Sequence, residues 1–296
     1  MKKLRVIPLA GPEDTNSSFG NQLFQLAFGL YLKSTLNDQI LFYIRNGFSK
    51  NDKKSIIDSK TQLISRLIYS NELISTANFA EQAFRLASVI PGFTFDESSF
   101  QLATSSHTKM PFQKFLARGY FQNYQFADAV EADLVNRFKQ SKEFDSAFVS
   151  QKEQIALHLR LGDYLTNSRN TKIYGTIKTE YYVNAVRSLM VTTGARNVVI
   201  ISDQPELAFE MLEKNLSAIP EISVRRSEGS VIEDFCAIAS SKASVIGNST
   251  FAWWASWLGH KLQPTKVVFP DPWYASDAIC ASGLAYPTWI AMNREG

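Results

Sequence analysis

Within ten residues, ALHLRLGDYL (156–165), the chain places His158, Arg160 and Asp163. The opening residues alternate like a strand and are apolar enough to be buried, yet charges are rarely buried without a partner. His158 and Arg160, two residues apart, share one face of a strand. An arginine fork stays charged and grips oxygens two at a time, which suits a phosphate. Asp163 is a candidate general base. Its alternative is to orient Arg160 or cap a turn, and a structural His–Asp or Arg–Asp pair is the alternative for the whole group.

A second stretch, GNSTFAWWASWL (247–258), has the make-up of an anion site. Asn248 or Ser249 would cap the helix that follows. The first turn then offers backbone N–H groups and the positive end of the helix dipole. With the hydroxyls of Ser249 and Thr250 beside them, a diphosphate would fit; a plain N-cap is the alternative. Trp253, Trp254 and Trp257 read as core packing. In SSFGNQLFQLAFG (17–29), Gly20 lets backbone come close, and Asn21 and Gln22 can bridge phosphate oxygens or sugar hydroxyls. Ordinary capping explains that segment equally well. Asp234 could accept from adjacent N–H donors such as guanine presents, or be a helix-surface carboxylate.

These residues need a scaffold, and the second half of the chain supplies a regular one. Strands read at IALHLRL, NVVIIS, ISVRR, ASVIG and KVVFP, with helical segments between them: TEYYVNAVRSLMV, QPELAFEMLEKNL, SVIEDFCAIASS and FAWWASWL. Alternation of short apolar strands with helices predicts a doubly wound parallel sheet. Ligands of such sheets bind beyond the carboxyl ends of the strands. His158, Arg160, Gly162 and Asp163 follow one strand, Ser202 and Asp203 a second, and Gly247 to Thr250 a third. Convergence of three strand ends on one edge says more than any single motif.

The first half opens with a strand (LRVIPLA), a helix (NQLFQLAFGLYLKSTL) and a strand (QILFYI), a βαβ unit. Residues 75–90 read as a helix, and 117–130 as an extended piece entering another. The polar stretch 141–154 reads as a linker. The expected organisation is an N-terminal Rossmann-like domain over 1–150 and a nucleotide-binding Rossmann-like domain over 151–275. Residues 276–296 read as a tail that packs back on the N-terminal domain.

Bulk properties exclude several classes. The chain has 296 residues, 45% of them hydrophobic, which is ample for packed cores. A net charge of +3 without a long basic run gives no reason to expect nucleic acid. Two cysteines, Cys236 and Cys280, make no disulfide framework and fit a reducing compartment. No apolar run approaches a membrane span. The expectation is a cytoplasmic protein without an integral membrane segment, with docking on the inner membrane face left open. The dinucleotide glycine fingerprint, the phosphate-binding loop of NTPases, the serine elbow and zinc spacings are all missing. No Asp-x-Asp signals a divalent metal, so no cofactor is expected.

Six segments in order resemble glycosyltransferase family 11, the α-1,2-fucosyltransferases: FGNQLFQLAFG, GYFQNYQFA, HLRLGDY, YYVNAV, ISDQPE and EDFCAIASSKASVIGNSTFAWWASWL. The resemblance implies an α/β, GT-B-type fold, two Rossmann-like domains with a donor cleft between them. It implies inverting, metal-independent transfer of L-fucose from GDP-β-L-fucose to the 2-hydroxyl of a terminal galactose in a glycan. By motif matching, Arg160 would hold the diphosphate, and His158 and Asp234 would lie near guanine. Ser249, Thr250 and Phe251 would form the phosphate-binding helix start, and Gly20, Asn21 and Gln22 would reach the donor. Two departures stand out. Leu161 occupies a position where the family commonly has a second basic residue, which leaves one fewer cation for the diphosphate, and a longer loop, GPEDTNSS, replaces the usual glycine pair. A GDP-fucose enzyme of another linkage and a non-catalytic nucleotide-sugar or glycan-binding protein are the rival readings.

Overall fold

The computed structural model describes residues 4–9, 18–36, 39–44, 63–75, 94–96, 116–276, 281 and 283–296. The chain divides into two α/β units, Met1–Arg137 and Phe138–Gly296, each built on its own parallel sheet.

The first unit contains β1 (Leu4–Pro8), α1 (Phe19–Leu36), β2 (Gln39–Ile44), β3 (Leu73–Ser75), β4 (Thr94–Asp96), β5 (Leu116–Arg118), α2 (Tyr124–Ala129) and, as far as Arg137, α3 (Glu131–Gln140), whose last residues belong to the second unit. Its strands lie in the order β3-β2-β1-β5-β4, and all neighbours are parallel. The spacing of Leu23, Phe24, Ala27, Phe28 and Leu30 gives α1 a face that is buried throughout. Phe28 stacks on Phe121 at 3.8 Å. A buried ion cluster ties the unit's later helix to its middle. Arg137 donates to both carboxylate oxygens of Glu72, at 2.8 and 3.1 Å, and Lys33 reaches the same group at 2.6 Å. Burial pushes the Glu72 carboxyl up, but the two cations outweigh it and hold the group below its ordinary value. The helix expected over 75–90 lies outside the described residues, apart from Ser75 at the end of β3.

The second unit runs α4 (Lys142–Ala147), β6 (Gln151–Leu159), α5 (Gly162–Thr166), α6 (Ser168–Tyr174), α7 (Thr179–Thr193), β7 (Asn197–Ser202), α8 (Pro205–Ser217), β8 (Ser223–Arg226), α9 (Val231–Ser240), β9 (Ser241–Ile246), α10 (Thr250–Leu262), β10 (Lys266–Asp271) and β11 (Ile290–Asn293). The strand order is β11-β10-β9-β6-β7-β8, parallel throughout. Tyr181, Tyr182, Ala185, Val186 and Leu189 recur at helical spacing and bury one face of α7. Trp253, Trp254 and Trp257 are fully buried, as core residues rather than a platform for a ligand. α9 and α10 approach so closely that a Cβ on Gly259 would stand 2.5 Å from the Ala239 carbonyl oxygen, so only glycine fits there.

Two segments differ from the sequence reading. The expected linker 141–154 holds α4 and the start of β6, and the unit boundary falls earlier. Phe144 is the reason. It is buried, with its ring edge-on to Phe138 at 5.1 Å and to Phe235 at 5.6 Å. One large apolar group in a polar stretch is worth about 2–3 kcal/mol when buried and is enough to dock a six-residue helix. The chain's end, read as a tail, places Ile290–Asn293 beside β10 as an edge strand, with Ile290 opposite Val268. Four residues, mostly exposed, carry too little pattern to read as a strand. Among the described residues, no helix is long and apolar enough to cross a membrane.

Candidate functional site

The second sheet changes direction at β6. The chain lays β7 and β8 on one side, then returns to place β9 on the other. Open α/β sheets bind ligands in the crevice at such a switch, outside the carboxyl ends of the strands. His158 on β6 lies opposite Ile246 on β9, and the Gly247 N–H donates to the His158 carbonyl at 2.9 Å. The segments after these two strands therefore set out from the same place.

Strand alternation sorts the ALHLRLGDYL residues. Ile155, Leu157, Leu159 and Leu161 all enter one core cluster, packed with α7 and α8. His158 lies on the opposite face, its ring 5.8 Å from that of Phe251, which in turn meets Phe235 edge-on at 5.4 Å. The imidazole is buried, and its Nδ1 has no hydrogen-bond partner among the described residues. Burial lowers its pKa to about 4, with Asp203 pulling it up and Arg160 pushing it down, so the ring is neutral at pH 7. Leu161, where the family resemblance suggests a second basic residue, continues the apolar alternation and is only 6% exposed. Its side chain serves the core.

Arg160 leaves the strand at the carboxyl edge. Its Nη1 lies 3.1 Å from Asp203 Oδ2, and its side chain is 30% exposed. The same carboxylate accepts the Leu161 N–H at 2.9 Å and the Gly162 N–H at 3.1 Å. A carboxylate at the end of β7 thus holds the turn that opens α5. A Cβ on residue 162 would stand 2.5 Å from Asp203 Oδ2, so Gly162 is what admits the carboxylate. Asp203, read from sequence as a donor contact, is engaged with Arg160 and this turn. Ser202 accepts the Gln204 N–H through its hydroxyl at 3.1 Å. Asp163 is the second residue of α5; its side chain lies outside the described residues. Replacing Asp203 with alanine removes four acceptor contacts at a partly exposed site, the longest of them from the Ser202 hydroxyl at 3.5 Å. The expected cost is about 1–3 kcal/mol of stability in urea unfolding, with turnover about tenfold lower because Arg160 loses its aim.

At the end of β9, Ser249 is the N-cap of α10, but its side chain makes no capping hydrogen bond. The first helical bond joins the Trp253 N–H to the Ser249 carbonyl at 2.9 Å, so the N–H groups before it have no helical acceptor. They stand at the positive end of a 13-residue helix, with Thr250 and Phe251 as its first residues. Asn248 is buried and works as an anchor. Its amide donates to the carbonyls of Tyr174 at 2.9 Å and Trp273 at 3.2 Å. The Tyr164 hydroxyl donates to the Asn248 carbonyl at 2.9 Å, and Tyr164 stacks on Tyr174 at 4.5 Å.

Asp234 sits in the first turn of α9, next to Phe235, which touches Phe251. It accepts a short hydrogen bond from the Ser227 hydroxyl, whose oxygen accepts the Gly229 N–H at 3.2 Å. Burial raises the Asp234 pKa, and Ser227 pulls it back. The structure thus brings His158, Arg160, Ser202, Asp203, Asn248, Ser249, Thr250 and Phe251 to one sheet edge, with Asp234 joined through the aromatic contact.

Gly20, Asn21 and Gln22 belong to the first unit. They open α1, which follows β1, the strand at which the first sheet changes direction. Asn21 accepts from the Gln122 amide at 2.9 Å, Gln25 donates to the Gly119 carbonyl at 2.9 Å, and Gln22 donates to the Leu9 carbonyl at 3.3 Å. Gln22 Oε1 is buried without a partner among the described residues. Tyr164, Tyr174, Ser227 and Gln122 were not singled out from sequence. Tyr164 and Gln122 lie inside quoted motifs; Tyr174 and Ser227 carry no local signal. Among the described residues, no three His, Cys, Asp or Glu side chains converge as a metal cage requires.

Comparison with known proteins places this geometry in a family context. The profile of Glycosyl transferase family 11 matches residues 15–293. Over 183 residues the chain is 27% identical to an O-antigen biosynthesis glycosyltransferase, WbnK, of Escherichia coli, covering 58% of the chain and 59% of that protein. It is 26% identical over 142 residues to an alpha-1,2-colitosyltransferase of Escherichia coli, covering 47% and 48%. The chain thus spans roughly half the length of these two relatives. A Caenorhabditis elegans protein described as a putative galactoside 2-alpha-L-fucosyltransferase, svh-11, is 24% identical over 293 residues, covering 91% of the chain and 73% of that protein. Among solved structures, POFUT1 in complex with GDP aligns over 90% of this chain and 98% of its own, with 13% identity and a TM-score of 0.46.

Proposed function

The chain belongs to glycosyl transferase family 11, and on that footing we propose that it transfers L-fucose from GDP-β-L-fucose to the 2-hydroxyl of a terminal galactose, with inversion and without a metal. One observation carries the reading. Arg160 and the start of α10, where the Ser249 side chain makes no capping hydrogen bond, stand at the ends of β6 and β9, the two strands that flank the sheet's switch point. A pyrophosphate seated there would meet a fixed guanidinium from one strand and helix N–H groups from the other.

The chemistry follows from charge. Direct displacement breaks the bond between the sugar's anomeric carbon and the diphosphate, through an oxocarbenium-like transition state. Negative charge grows on the leaving GDP, and Arg160 and the α10 dipole stabilise it where it grows. The acceptor hydroxyl's proton passes to Asp163 or to the departing diphosphate. The neutral His158 ring lies beside Phe251 without adding charge, in keeping with a contact to the nucleoside end. The α-1,2 linkage draws support from the names of two relatives, a colitosyltransferase and a galactoside fucosyltransferase.

The test is a product analysis. Purified protein is incubated with GDP-L-fucose and lactose, N-acetyllactosamine or a Gal-β-1,3-linked disaccharide, with a colitose donor as a second arm. Fucose on the galactose 2-hydroxyl, with α configuration, is the expected product. Transfer only from the colitose donor would overturn the donor, another linkage would overturn the regiochemistry, and no turnover with any pair would favour a binding protein.

A further inference from the structure

The residue that holds the start of α10 in place is itself held from the far end of the chain. Asn248 donates to the Tyr174 carbonyl, and that carbonyl has a second donor, Arg294 Nη2, at 2.6 Å. The same nitrogen reaches the Thr176 carbonyl at 3.2 Å. Arg294 lies just past β11 and is only 4% exposed. Its backbone is tied in both directions, the N–H to the Asp271 carbonyl at 3.2 Å and the carbonyl to the Lys178 N–H at 3.2 Å. Its Nη1 is buried and has no hydrogen-bond partner among the described residues.

Burying a guanidinium against backbone carbonyls is costly, and burial holds its pKa below the ordinary arginine value. An apolar residue would fill the space at lower cost, so the hydrogen bonds of Arg294 are its distinguishing contribution. The shorter of its two side-chain bonds goes to the Tyr174 carbonyl. From there two contacts run to Asn248. One is the carbonyl shared with the Asn248 amide. The other is the ring of Tyr174, stacked on Tyr164, whose hydroxyl holds the Asn248 carbonyl. Tyr164 also lies under Arg160, whose guanidinium carbon is 6.0 Å from the ring centre.

We infer that Arg294 is a positioning residue for the diphosphate seat: by fixing the Tyr174 carbonyl it sets Asn248, and with it the first turn of α10, in place for the phosphates. The inference rests on the proposed function above, since it assigns that turn to a phosphate ligand. Arg294 acts through Asn248 and touches no substrate.

The test compares ligands that do and do not carry phosphates. GDP and guanosine binding are measured by calorimetry on wild type, Arg294→Met, Arg294→Lys and, as a control, Arg160→Ala, with thermal unfolding for each. Arg294→Met is expected to weaken GDP about tenfold while leaving guanosine unchanged. Arg294→Lys keeps the charge but not the fork, and is expected to weaken GDP by about three- to fivefold. Should Arg294→Met not fold, Arg294→Lys carries the test. A folded variant that binds GDP like wild type, or loses GDP and guanosine equally, overturns the inference. If Arg160→Ala loses GDP while the Arg294 variants do not, this inference alone fails. If wild type does not bind GDP, or Arg160→Ala binds it unchanged, the proposed function fails as well.

Discussion

Replacing Arg160 with alanine is expected to lower turnover by about 10²–10³-fold, an increase in barrier of about 3–4 kcal/mol. The substitution removes a charged donor from the place where the leaving diphosphate gains charge. Binding of the unreacted donor should weaken less than turnover falls, because the charge grows in the transition state. Lysine at this position should recover only a small part, since a single ammonium cannot reproduce a fork held by Asp203 at 3.1 Å. The fold should survive, because the Arg160 side chain is 30% exposed and its partner Asp203 keeps two backbone N–H donors. Steady-state kinetics and thermal unfolding check both halves. Near-normal turnover in a folded Arg160→Ala protein would remove the residue from the chemistry.

The second large effect is an acid sensitivity carried by His158. Its pKa is about 4 in the folded protein against 6.5 for the free side chain, chiefly because the ring is buried. Above pH 6.5 neither state holds the proton, and the neutral ring adds no pH dependence. As pH falls below 6.5 the unfolded chain takes up a proton that the folded chain refuses, so stability declines. The decline ends near pH 4, where the folded ring is protonated too. The total is about 3 kcal/mol between pH 7 and pH 4. Asp234, raised by burial, pushes stability the opposite way over the acid range. The comparison is therefore between wild type and His158→Gln, in urea at pH 7 and pH 4.5. Wild type should lose markedly more stability than the variant over that interval; equal losses would show that the ring is not held neutral by its surroundings.

The second unit was legible because its elements carry strong local signals. NVVIIS and KVVFP are β-branched runs bounded by turn formers, and their strands match the expected limits closely. α7 shows clear helical spacing and buries one face, and the three-tryptophan helix is buried all round from Ala252 to Gly259, with its tryptophans in the core as expected. Convergence of strand ends also followed from topology, because a doubly wound sheet gathers the residues after β6, β7 and β9 at one edge.

What escaped the sequence depends on partners distant in the chain. Asp203 reads as a strand-end carboxylate, but its bonds to the Leu161 and Gly162 N–H groups exist only because β7 pairs with β6. Asn248 reads as a cap, yet its amide is spent on Tyr174 and Trp273, contacts that require α6 and the segment after β10 to meet. Phe144 sits in a stretch polar enough to pass for a linker, and only its packing on Phe138 and Phe235 shows otherwise. Leu161, an apparent departure from the family's pattern, needed only the alternation already visible in Ile155, Leu157 and Leu159 to be placed in the core.

The seat assigned to the diphosphate is tested most directly by a crystal structure of the protein with GDP. The expected result places a phosphate oxygen within about 3 Å of the Arg160 guanidinium and another against the N–H groups of the first turn of α10. GDP bound with its phosphates away from both Arg160 and that helix start would contradict the account.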